Sequence, residues 1–262
     1  MGKLIGQIFK EDFKSIILWL FLPLASALIF MQLLSVFQGS PILSLAMGFS
    51  MTLLIIGPVL SLAIAAKNDK ERFYGNSAGF YSALPISSSA ITGARLINYI
   101  LQGILIVLSA FINFIILNIS NAPGLTLSEI FRSIGDGINQ IGAGNFAMIL
   151  LNLFMFGVFI VSTIMLANTA GSSSLFGKKS KYAPIIIFLV LFFGIGMIGA
   201  RIQSSALGDY IYNSFDVANT SVSVEYNSSA RLMLVPLISN ILISLGFYGL
   251  TYYYHDKKLS VD

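Results

Sequence analysis

The chain has 262 residues, of which 56% are hydrophobic and 10% charged, against roughly 25% charged residues in an ordinary soluble domain. A water-facing surface cannot be built from so few charges, which excludes a soluble globular protein. Cysteine is absent, which removes disulfides, thiolate metal sites and thiol catalysis, and the net charge of +4 calls for no nucleic acid once its distribution is followed.

Residues 2–14 set Leu4, Ile5, Ile8, Phe9 and Phe13 at helical spacing, with Lys3, Lys10, Glu11 and Asp12 elsewhere on the wheel. This predicts an amphipathic helix over 1–14 lying in the membrane interface. No Asp, Glu, Lys or Arg then occurs between Lys14 and Lys67. A helix needs about 20 apolar residues to cross about 30 Å of hydrocarbon. The run therefore holds two spans, 15–37 and 41–66, parted at Gln38-Gly39-Ser40-Pro41. The first is of full spanning length, so no cleavable leader is read.

The segment 67–93 is the least membrane-like internal connection, with charges first and aromatics after. Pro85 interrupts a helix and Ser87 to Ser89 can cap the next, predicting a short helix, a turn and entry into the third span. That span, 96–118, carries a polar stripe: Asn98, Gln102, Ser109 and Asn113 fall within about 60° of one another at 100° per residue. Such side chains either bond to neighbouring helices or line a path for a polar or amphipathic cargo, and the sequence leaves both open.

Further spans follow at 145–168, 182–200 and 233–254, joined by a basic loop, Gly171 to Lys181, and by longer polar segments at 119–144 and 201–232. Tyr182 and Tyr252 to Tyr254 anchor span ends at the interface. Runs such as Ile185 to Phe193 are continuous, not alternating, so helices rather than a closed barrel satisfy the backbone. Basic residues stay on the cytoplasmic side. With six spans, Lys3, Lys10, Lys14, Lys67, Lys70, Arg72, Arg95, Lys178, Lys179, Lys181, Lys257 and Lys258 share one side, and Arg132, Arg201 and Arg231 the other. The predicted fold class is an all-α membrane protein: an interfacial helix, then a six-helix transmembrane domain over 15–262, both termini cytoplasmic.

Three motif-like stretches carry little chemistry. Gly194-Ile195-Gly196-Met197-Ile198-Gly199 has dinucleotide-fingerprint spacing but lies in an uncharged span, where Gly196 and Ala200 suit close helix packing. Gly75-Asn76-Ser77-Ala78-Gly79 has nucleophile-elbow spacing, yet His255 is the single histidine and follows the last span. Gly171 to Lys179 matches a phosphate loop only loosely. The spans hold no ionisable group, which tells against a proton- or ion-driven carrier, although a helix broken at Gly57-Pro58 could present carbonyls to sodium.

The interfacial helix, the six spans, the charged-then-aromatic first cytoplasmic loop and the Leu84-Pro85-Ile86-Ser87 turn together resemble the membrane subunits of type-2 ABC transporters, the exporter-type permeases of bacteria. The resemblance implies that the 67–93 loop holds a coupling helix docking on a separate ATPase. Asp69, Glu71 and Arg72 would then pair with its rim, Phe73, Tyr74, Phe80 and Tyr81 would enter its groove, and Pro85 would end the element. It also implies a second permease, identical or homologous, in a bacterial cytoplasmic membrane. ATP and Mg would sit on the ATPase, with no cofactor on this chain and no enzyme site of its own. The cargo would be a peptide, antibiotic, lipid or other amphipathic molecule. An ATP-independent carrier or channel is the main alternative; a hydrolase using Ser77 and a scaffold without cargo are the others.

Overall fold

The computed structural model describes residues 2–37, 40–83, 85–121, 126–173, 182–211 and 230–257, and among them there is no strand. The helices are α1 (Gly2–Val36), α2 (Pro41–Tyr74), α3 (Ala78–Ser82), α4 (Ser88–Asn121), α5 (Leu127–Ile141), α6 (Ala143–Gly171), α7 (Ala183–Ile211) and α8 (Ala230–Lys257). Five are long and apolar enough to cross a membrane, over Gly2–Val36, Pro41–Tyr74, Ser88–Ile116, Ala143–Gly171 and Leu234–Asp256, and a shorter apolar stretch covers Ala183–Gly199. Their length and composition are those of a multi-pass membrane protein. The chain divides into two compact units, Met1–Ile134 and Gly135–Asp262.

In the first unit, α1 and α2 pack on each other and both on α4, while α3 packs on α2. The face of α1 that turns inward is a stripe of fourth residues, Leu4, Ile8, Asp12, Ile16 and Leu20, continued by Pro23 and Ala27. This is the helical repeat of one face. The expected separate helix over 1–14 is not separate: α1 runs unbroken from Gly2, and Leu4 and Ile8 face the protein interior instead of lipid. α2 starts where read, with Ser40 as N-cap and Pro41 in the first turn.

Two prolines shape this unit. Pro58 sits inside a continuous α2, so the helix is not broken at Gly57-Pro58. Lacking an N–H, Pro58 cannot bond the carbonyl of Leu54, and Asn113 of α4 supplies the donor, Nδ2 to O at 2.8 Å. Pro23 in α1 likewise cannot bond the Trp19 carbonyl. That carbonyl faces Gly57, where an added Cβ would lie 2.7 Å from it and 3.2 Å from Pro23 Cγ. Only glycine lets α1 and α2 meet this closely.

In the second unit, α6 packs against both α7 and α8. Phe159, Leu166 and Phe247 form its core with Phe192 and Ile195 against them, and Phe159 stacks on Phe192 and Phe247 at 6.1 and 6.3 Å. The buried hydroxyls of Thr163, Thr169 and Thr251 bond to carbonyls one turn back, which spares them an unmet bond in an apolar setting. Gly171 closes α6 against the start of α7, where a Cβ would meet Pro184 N at 2.6 Å. Gly196, by contrast, is exposed and a Cβ there meets nothing within 4 Å, so the close packing expected at this glycine occurs at Gly57 and Gly171 instead. The side chain of Ala200 lies outside the described residues.

Two connections differ from the sequence reading. The stretch 119–144 contains a helix, α5, and α7 continues to Ile211, well into the segment 201–232. Leu84, the remainder of that segment over 212–229 with Asp216, and most of the basic loop with Lys178, Lys179 and Lys181 lie outside the described residues.

Candidate functional site

α1, α2 and α4 have 35, 34 and 34 residues, or about 50 Å each at 1.5 Å per residue, some 20 Å more than the hydrocarbon core requires. The excess carries the charges: the start of α1, the end of α2 and the start of α4. Their alternating direction brings these three ends to one side, and there the charges meet.

The centre is Asp12, fully buried. Its carboxylate accepts five hydrogen bonds: from Arg72 Nη1 at 3.3 Å and Nη2 at 2.7 Å, Asn68 at 3.1 Å, Asn98 at 2.8 Å and Gln102 at 2.7 Å. Asn68 also donates to Ser15 at 2.9 Å. Beside it, Arg95 donates Nε and Nη2 to the two oxygens of Asp69 at 2.8 and 2.6 Å and Nη1 to the Tyr74 hydroxyl at 2.7 Å. The same guanidinium lies 5.1 and 5.2 Å from the ring centroids of Phe73 and Tyr74, a cation–π geometry. Two carboxylates and two guanidiniums, each pair bidentate, leave the buried cluster without net charge. Burial is tolerable only on those terms, because an unmatched charge away from water is costly.

A second layer reaches the surface. Glu11 is 3.4 Å from Arg72 Nε and accepts from the Tyr81 hydroxyl at 3.2 Å. Burial, then the Glu11 carboxylate, holds that hydroxyl above the ordinary tyrosine range. Phe73 and Tyr81 pack with Leu4, Ile8, Ile91 and Ala94, fixing the five-residue α3. Between α1, the end of α2 and α3 opens a groove of about 670 Å³ lined by Gln7, Glu11, Asn68, Glu71, Asn76, Ser77 and Phe80, among others. After it, Ser87 caps α4 by accepting from Ala90 N at 3.3 Å.

Residues expected to face a partner are thus largely turned inward. Asp69, Arg72, Phe73 and Tyr81 are buried and Tyr74 is half-buried, whereas Glu71, Phe80 and Pro85 are exposed. In the polar stripe of α4, Asn98 and Gln102 donate to Asp12 of α1 and Asn113 donates to the Leu54 carbonyl of α2, so these three side chains bond between helices. Ser109 is buried with its hydroxyl unpartnered. The structure joins two sets of residues that the sequence reading kept apart, through two it had not singled out, Asp12 and Arg95. Both carried a signal. Asp12, expected off the apolar face of the 1–14 helix, instead stands in the fourth-residue stripe with Leu4 and Ile8, where a surface charge has no place, and Arg95 extends the Asn98–Gln102 face of α4 by one turn.

Chemically the cluster is a fastener. Each charge is matched, and among the described residues no three His, Cys, Asp or Glu side chains come together as a metal would need. Gly75 to Gly79 joins helix to helix, with no preceding strand to make a nucleophile elbow, and Gly194 to Gly199 lies within α7. Comparison with protein-family models, with curated proteins and with solved structures finds no match.

Proposed function

We propose that this chain is the membrane subunit of an ATP-driven exporter of the type-2 ABC kind, crossing the bilayer six times with both ends in the cytoplasm. In this reading the shorter apolar stretch Ala183–Gly199 is the fifth crossing and brings the total to six, and the ion-paired end of the first unit is cytoplasmic because the basic residues gather there. A separate ATPase docks on the surface around the groove, meeting Phe80, Glu71, Asn76 and Ser77. Asp69, Arg72, Phe73, Tyr74 and Tyr81 stand behind that surface and carry its movement into the spans.

One observation supports the reading most: α1, α2 and α4 outrun the membrane and are fastened there by two bidentate ion pairs, with α3 packed on the end and Phe80 58% exposed. A stub built this way moves as one body, so a push at α3 reaches three spans together. Exposed Phe80 beside Glu71 gives a partner an aromatic anchor and a charge.

The test is affinity purification of the tagged chain in mild detergent from its native host. Recovery of a P-loop ATPase is expected. Phe80→Ala and Glu71→Lys should each reduce that recovery while leaving the elution volume of the chain unchanged. Failure to recover any ATPase, together with cargo flux through liposomes containing this chain alone, would replace the proposal with an ATP-independent carrier or channel.

A further inference from the structure

Among the described helices, the 15-residue α5 is the most sharply divided lengthwise. At 100° per residue Leu127, Ile130, Phe131, Ile134, Ile138 and Ile141 fall within an arc of about 100°, and the charges Glu129, Arg132 and Asp136 occupy the opposite side. Its start is fixed by a reciprocal cap. Thr126 N donates to Glu129 Oε2 at 2.7 Å and Glu129 N donates to Thr126 Oγ1 at 3.3 Å, the capping-box arrangement. Its end is fixed by Gly142, the single residue between α5 and α6 and the one described residue with positive φ, at 84°. Gly142 N bonds Ile138 O at 2.9 Å and Phe146 N bonds Gly142 O at 3.0 Å, so both helices are held right up to the corner.

The apolar arc is only partly covered. Ile130 is 4% exposed, but Leu127, Phe131 and Ile141 are 53, 54 and 39% exposed. An arc of this kind in water is a liability, and connectivity says what lies beside it. One residue joins it to α6, which is long and apolar enough to cross a bilayer. At the other end residues 122–126 span at most about 18 Å from the end of α4, which has the same character.

We infer that α5 is an interfacial helix, lying in the boundary between lipid headgroups and acyl chains beside the start of α6, with Leu127, Phe131 and Ile141 in lipid and Glu129, Arg132 and Asp136 in water. Its polar side carries both signs of charge, so the hold is apolar burial and not attraction to anionic lipid. The inference needs the multi-pass character of the chain but not its role as a transporter.

The absence of cysteine makes the test direct, since each introduced cysteine is unique in the full-length chain. Phe131→Cys and Ile141→Cys report the apolar arc, Arg132→Cys and Asp136→Cys the polar side, and Val107→Cys in α4, 67% exposed, the span itself. Each variant carries a bimane label in phosphatidylcholine nanodiscs and is exposed to lipids with a nitroxide near the headgroup or to aqueous iodide. The lipid nitroxide should quench positions 131 and 141 at least twice as strongly as 132 and 136, with the order reversed for iodide. Iodide reaching both sides of α5 while sparing position 107 would place the helix off the membrane and overturn the inference with the span intact. Neither quencher reaching 131 and 141 would mean that protein covers the arc, which also overturns it. Iodide reaching 107 would remove the membrane premise instead. Should Phe131→Cys fail to fold, Leu127→Cys reads the same arc.

Discussion

Replacing Asn113 by leucine should destabilise the first unit by about 1 kcal/mol, with the sign and size set by Pro58 two helices away in sequence. Pro58 withholds a donor from the Leu54 carbonyl, and Asn113 Nδ2, 2.8 Å away, replaces it. Both Asn113 and Leu54 are buried. Leaving a buried acceptor unmet costs about 1–3 kcal/mol, whereas side-chain bonds between membrane helices average about 0.6 and reach about 1.7 kcal/mol. The upper part of that second range applies, because proline prevents the carbonyl from finding its own helix as a substitute partner. Leucine also removes the unpartnered Asn113 Oδ1, which offsets part of the loss. Pro58→Ala restores the N–H, after which Asn113→Leu should cost roughly a third as much or less. The measurement is reversible unfolding in mixed detergent micelles of wild type, each single variant and the double variant. Equal cost of Asn113→Leu in both backgrounds would show that the amide is not there for the proline's carbonyl.

The ion pairs, the close approach and the cap of α5 give three more expectations. Arg95→Leu leaves Asp69 buried without its guanidinium and should cost about 3–5 kcal/mol, whereas Arg95→Leu with Asp69→Leu should recover most of that loss; thermal unfolding followed by size exclusion compares them. Gly57→Ala drives a methyl onto the Trp19 carbonyl and should lose about 1–3 kcal/mol, while Gly103→Ala, where a Cβ meets nothing within 4 Å, should not destabilise; the same assay decides. At the start of α5, the Thr126 backbone N–H holds the Glu129 carboxyl below the ordinary carboxylate range. Its cap is therefore complete above the ordinary pKa of about 4.3 and is lost as pH falls through the lowered value. A spin label at Ser128→Cys should gain mobility on acidification, and with Glu129→Ala it should be mobile throughout.

Helix positions were legible because lipid imposes a simple rule, roughly 20 residues without charge, and the Ser40-Pro41 start of α2 followed from capping chemistry. What that rule overlooks is polar chemistry between helices. Arg95 marks the edge of an uncharged run and reads as a topology signal, Asp12 reads as one of the polar residues of an interfacial helix, and only three-dimensional proximity shows both buried and paired. Phe73 and Tyr81 fall in a polar segment and read as exposed aromatics, yet the last turn of α2 and the short α3 set them against Leu4 and Ile91. α5 is hidden for a different reason: its composition is that of a loop, with Gly135 and Gly137 and three charges, and only its angular distribution of isoleucines and its Thr126–Glu129 cap give it away.

The wiring of the buried cluster also sets an order of assembly during synthesis. Asp12 emerges first and waits for Arg72, so α1 and α2 can associate as a hairpin once residue 72 is made. That hairpin, however, holds Asp69 without its guanidinium until Arg95 follows, and Asp12 without two of its amide donors until Gln102 follows. The first 94 residues therefore contain the Asp12–Arg72 pair but not the guanidinium that matches Asp69, and the set of partners is complete only with Gln102 of α4.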